Sequence, residues 1–94
     1  MARVLGNVNA VGQPVDGTSG FSVAAATSGQ TGAWVVTFDQ PFTATPTLLV
    51  TLVNSEWNMT YRNRPRPDGF DMETFRNDGT PAAASFDFGA WGDR

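Results

Sequence analysis

The sequence predicts a small all-β protein, a six-stranded antiparallel β-sandwich. Three observations carry that prediction. Short runs rich in Val, Thr, Phe and Trp alternate with clusters of Gly, Pro, Asn and Asp at regular spacing, as strands joined by turns do in sandwiches and barrels. Helix signals are scarce, since Glu occurs twice, Lys is absent, and apolar residues do not recur at three-and-four spacing. The length of 94 residues leaves room for one domain and one core.

Taken in order, residues 1–19 read as an extended lead-in. They are dominated by Gly, Asn and small polar residues, with room for one short strand around Arg3 to Val8. Residues 20–94 read as the sandwich domain. Gly20 to Ala24 alternates, putting Phe21 and Val23 on one face. The clearest strand is Ala33 to Phe38, with Trp34, Val36 and Phe38 on one side. Pro41 breaks it, because proline cannot donate to a central ladder. Thr47 to Asn54 follows Pro46 and is apolar on both faces: Leu48, Val50 and Leu52 on one, Leu49 and Val53 on the other. That pattern predicts burial on both sides, one of them against another subunit. Trp57 to Asn63 reads as a strand, Arg64 to Gly69 as a loop, and Phe70 to Phe75 as a strand with Asp71, Glu73 and Phe75 on its polar side. Arg76 to Pro81 contains Asp78-Gly79 and reads as a turn. Ala82 to Trp91 closes the sandwich, with Ala84, Phe86, Phe88 and Ala90 facing inward.

Composition narrows the function. With no Cys and no His, the chain has neither disulfides nor an ordinary zinc site. Ser-His-Asp and Cys-His arrangements are excluded, as is a histidine base working near neutral pH. We expect no enzyme, no cofactor and no metal; the Asp-Gly pairs lack the ligand spacing of a calcium loop. Stability must come from an aromatic core, for which seven Phe, three Trp and one Tyr are present, or from association with further copies. The net charge of −3 disfavours nucleic acid and anionic membranes. No secretory leader is expected, and the apolar stretch from Pro46 to Val53 is too short to span a bilayer.

The most unusual local feature is Tyr61-Arg62-Asn63-Arg64-Pro65-Arg66-Pro67-Asp68. In an extended chain its three Arg point the same way, next to Tyr61 and Trp57. Arg beside aromatic rings holds sugars by stacking and forked hydrogen bonds. It is also an interface composition, and the same arginines could simply pair with Asp68, Asp71 and Glu73. A glycosidase-like pair, Asp71 and Glu73, lies on one face about 7 Å apart by strand geometry. The solvated side of a half-buried strand accounts for that pair equally.

A wider pattern joins these pieces: Val36-Thr37-Phe38, Pro41-Phe42, Pro46 followed by Leu49-Val50-Thr51-Leu52, Gly69-Phe70-Asp71-Met72, and Phe86-Asp87-Phe88-Gly89-Ala90-Trp91-Gly92. Over roughly residues 20 to 92 this resembles the H-type lectin fold, including such domains at bacteriophage tail-fibre tips. The resemblance implies a homotrimer, a role in cell-surface and plausibly carbohydrate recognition, and a place on a virion tail fibre or other extracellular appendage. It departs from the family at one point. Where the lectins carry a Thr-Trp pair lining the sugar, this chain has Arg76-Asn77-Asp78-Gly79-Thr80, so a specific sugar site does not carry over. The candidate ligand-binding residues are therefore Trp57, Tyr61, Arg62, Arg64, Arg66, Arg76, Asn77 and Asp78. The alternative is a purely structural trimerisation or capping module.

Overall fold

Apolar–polar alternation builds seven strands, all paired antiparallel, in two sheets facing each other. The computed structural model describes residues 1–15, 18–53 and 59–94. One sheet has three strands in the order β1 (Ala2–Val8), β7 (Ser85–Gly92), β4 (Thr47–Val53). The other has four, in the order β2 (Phe21–Ala25), β3 (Ala33–Phe38), β6 (Gly69–Arg76), β5 (Met59–Arg66).

The inner faces supply one core. Six of the seven Phe enter it: Phe21, Phe38, Phe42, Phe70, Phe86 and Phe88. Phe88 meets Phe21 edge-on at 5.0 Å and Phe70 at 4.9 Å between ring centroids, while Phe38 meets Phe42 at 5.3 Å. Edge-to-face contacts of this kind add to the several kcal/mol that burying each ring contributes. The seventh ring, Phe75, lies half-buried on the outer side of β6.

Two features differ from the sequence expectation, and a third bears on it. Seven strands form, not six, because β1 pairs with β7 along its whole length, from Ala2↔Gly92 to Val8↔Phe86. Its alternate residues Val4 and Val8 are buried in the core, and Gly6 between them lets the Phe88 and Phe21 rings close over the backbone. The short strand for which the lead-in has room around Arg3 to Val8 is thus a full member of the sheet, and its inward face needs only two valines. Second, β5 runs through Arg66, so the expected loop from Arg64 to Gly69 shrinks to a turn at Pro67 and Asp68. Pro65 is tolerated because β5 is an edge strand. The Pro67 and Asp68 carbonyls accept hydrogen bonds from the Phe42 and Phe38 amides, both 2.9 Å, which fixes the turn. Third, within the chain β4 is buried on one face, and the face expected against another subunit is outward. Leu48, Val50 and Leu52 pack on the core, whereas Leu49 on the other face is 62% exposed.

Local chemistry explains the first connection. The Asn9 side-chain oxygen accepts from the amides of Val11 (3.1 Å) and Gln13 (2.9 Å), an Asx turn. It folds Pro14 back onto Val8 and sets Gly12 against the half-buried indole of Trp34.

Candidate ligand-binding face

The antiparallel β5–β6 hairpin sets the outer face of the four-stranded sheet. Its register puts Arg62 opposite Glu73, Arg64 opposite Asp71, and Arg66 opposite Gly69. The inward positions of β6, namely Phe70, Met72 and Thr74, are fully buried, so Asp71, Glu73 and Phe75 face outward with the three arginines.

These arginines differ in what they hold. Arg62 reaches Glu73 at 3.3 Å and lies over the Phe75 ring, 5.1 Å from its centroid. Glu73 also accepts from the Gln30 amide at 3.1 Å. Arg66 reaches diagonally to Asp71 at 2.7 Å and to Asp68 at 3.3 Å. The Asp71 hydrogen bond, foremost, raises its already high pKa further. Arg64 stands between them and makes no ion pair among the described residues. Exposed pairs of this kind contribute at most about 1 kcal/mol each. Their effect is positional: they hold Arg62 and Arg66 in place and leave the Arg64 guanidinium available.

Two shallow depressions meet at Arg62. One, of about 310 Å³, is lined by Arg62, Asn63, Arg64, Asp71 and Glu73. The other, of about 350 Å³, is bounded by Tyr61, Arg62, Phe75, Arg76 and Asn77, with Thr60 and Gly79 at its edges. The first offers charged donors and acceptors, the second a ring platform beside amide and guanidinium groups. Arg76 and Asn77 are carried there by a tight turn in which the Arg76 amide donates to Thr80 (2.8 Å) and the Gly79 amide to Arg76 (2.9 Å).

The sequence-derived candidates divide accordingly. Tyr61, Arg62, Arg76 and Asn77 converge on one depression, and Arg64 joins Arg62 in the other. Arg66 lies at the hairpin turn, outside both. The Tyr61 hydroxyl donates to the Val50 carbonyl of β4 at 3.0 Å, so it ties the two sheets together at their open edge. Asp78 is spent on the turn, accepting from the Thr80 amide at 2.9 Å. That backbone bond, with the nearby Arg76 charge contributing less, holds its carboxyl below the ordinary 3.8. Trp57 lies outside the described residues. Phe75 was absent from the sequence-derived set. Its signal was visible, as a large ring spaced two and four residues from Glu73 and Asp71 on a charged face.

Among the described residues, no three His, Cys, Asp or Glu side chains gather closely enough to hold a metal ion. Asp71 and Glu73 are each engaged by an arginine. Comparison with protein-family models, with curated proteins and with solved structures found no match for the chain.

Proposed function

We propose that this domain is the cell-surface-binding head of a homotrimeric appendage, of the kind found at bacteriophage fibre tips, and that it recognises carbohydrate through the outer face of β5 and β6. The observation that carries the reading is the pair of depressions sharing Arg62, with the Phe75 ring under its guanidinium. Sugars present apolar C–H faces and vicinal hydroxyls. An aromatic ring next to forked donors and carboxylate acceptors complements both. The resemblance of the motif order to the H-type lectins supports the same reading, as does the lack of His and Cys for catalysis.

A glycan array and a whole-cell binding assay test it. Arg62→Ala and Phe75→Ala should each weaken retained glycan binding about ten- to a hundredfold, the scale of one stacking or forked contact. Binding that survives both changes rejects this face as the site.

One observation favours the structural alternative. Arg62 and Arg66 already hold Glu73 and Asp71, and the Tyr61 hydroxyl already holds Val50. On that reading the face is an internal ion-pair ladder with only Arg64 outside it, and neither array nor cells retain the wild-type protein.

A further inference from the structure

The two depressions that meet at Arg62 differ in charge. The first is balanced, lined by the guanidiniums of Arg62 and Arg64 and the carboxylates of Asp71 and Glu73. The second is lined by two guanidiniums, Arg62 and Arg76, and by no carboxylate. Its other groups are neutral, chiefly the Phe75 ring and the Asn77 amide. That runs against the chain as a whole, in which nine acidic residues outnumber six arginines. A negative ligand is therefore favoured in the second depression and opposed in the first, where two carboxylates repel it.

Both guanidiniums have donors to spare. Arg62 gives one terminal nitrogen to Glu73, while its Nε and second terminal nitrogen donate to nothing among the described residues. Arg76 is exposed, and its guanidinium makes no ion pair among them. Asp78, two residues on, does not compete: its carboxylate accepts the Thr80 amide and is not part of the lining. The turn anchors Arg76 through its backbone, from the Arg76 amide to Thr80 and from the Gly79 amide to the Arg76 carbonyl. A guanidinium fork grips a pair of anionic oxygens about twice as strongly as a neutral donor does. Glu73 already shares the Arg62 charge, so about one positive charge is left to neutralise, which fits a monoanion. Beside it, the Phe75 ring and the Asn77 amide suit the remainder of a sugar, a C–H face and hydroxyls.

We infer that the depression lined by Arg62, Phe75, Arg76 and Asn77 takes a sugar residue carrying a single negative charge, as a uronate carboxylate or a sulfate ester. This rests on the carbohydrate recognition of the proposed function and names the class of sugar.

NMR titration of the full chain with glucuronate, a glucose sulfate ester, methyl glucoside and acetate tests it, read at the arginine Nε–H and asparagine side-chain signals. At least one anionic sugar should shift the Arg62, Arg76 and Asn77 signals with a Kd of about 1 mM, the scale for so small a ligand. Which of the two does so separates the carboxylate from the sulfate ester. Methyl glucoside lacks the charge and acetate lacks the ring, so each should bind about tenfold more weakly. Arg76→Gln should weaken the anionic sugar about tenfold, and Arg64→Gln should leave it unchanged. Both arginines are exposed, and the amide spectrum reads whether each variant keeps the fold. Methyl glucoside binding as tightly as the anionic sugars overturns the inference while leaving carbohydrate recognition standing. Acetate binding as tightly also overturns it, since the depression then reads a bare carboxylate such as an acidic peptide supplies. A loss with Arg64→Gln in place of Arg76→Gln puts the charge in the first depression and overturns the assignment. No shift with either anionic sugar up to ~50 mM overturns it as well, and the glycan array then decides whether carbohydrate recognition survives.

Discussion

Thr74 is the one buried polar residue among those described, with no exposed surface. It fastens the segment that carries Arg76 and Asn77. Its hydroxyl donates to the Ala82 carbonyl. Its own carbonyl accepts from the Ala82 amide at 3.2 Å, and its amide donates to Gly32 at 3.2 Å. Replacing Thr74 by Val keeps the volume, removes the hydroxyl, and sets a methyl group against the Ala82 carbonyl. The lost bond is worth about 1 kcal/mol and the stranded carbonyl a comparable amount, so about 2 kcal/mol should go. For a domain of this size that lowers Tm by about 8–16 °C. Thr74→Ser keeps the hydroxyl and removes one methyl, and should lose about 1 kcal/mol. Urea denaturation followed by circular dichroism reads both. Thr74→Val within about 0.5 kcal/mol of wild type, or no less stable than Thr74→Ser, would refute the role given to the hydroxyl.

Three further outcomes are expected. Tyr61→Phe should lose about 0.5–1 kcal/mol in urea denaturation, through the bond to Val50, and should leave ligand retention unchanged because that hydroxyl is already committed to the Val50 carbonyl. Gly6→Ala places a Cβ against the Phe88 ring and 2.7 Å from Phe21. Overpacking of that kind should destabilise the sandwich by about 1–3 kcal/mol in the same assay. Asp78 should titrate below 3.8 in carboxyl-detected NMR, because the charged form accepts the Thr80 amide. With the folded value depressed, the turn's stabilisation is present above 3.8 and is lost as pH falls through the lower folded value. A midpoint at or above 3.8 would mean that the amide does not hold the carboxylate.

Strands were legible wherever apolar and polar residues alternate without interruption. Phe70 to Phe75 appears as read, and so do the inward positions Ala84, Phe86, Phe88 and Ala90. Alternation also placed Arg62, Arg64 and Arg66 on one face, which β5 realises. What stayed hidden depends on partners distant in sequence. Whether Ala2 to Val8 becomes a strand is decided by β7, some eighty residues away, not by its own glycine and asparagine. Pro65 marked a loop by local rule, and only the edge position of β5 makes it acceptable in a strand. Nothing local reveals that the Tyr61 hydroxyl reaches Val50, although its ring lines a depression. Phe75 was passed over because aromatic residues are counted first as core.

The three-stranded sheet has a consequence for the order of folding. Its central strand is β7, flanked by β1 and β4, so neither flanking strand can make a ladder bond until the last strand arrives. The four-stranded sheet has no such dependence, since β2, β3, β5 and β6 all precede Ser85. We predict a polarised transition state, with the β3–β6–β5 region formed and β1 docking late. Val4→Ala should then mainly speed unfolding, while Val36→Ala slows folding. A Val4→Ala chevron that shifts chiefly in its folding arm would contradict this order. During synthesis the apolar faces of β1 and β4 wait uncovered for the C-terminal strand, which makes that interval the molecule's most aggregation-prone stage.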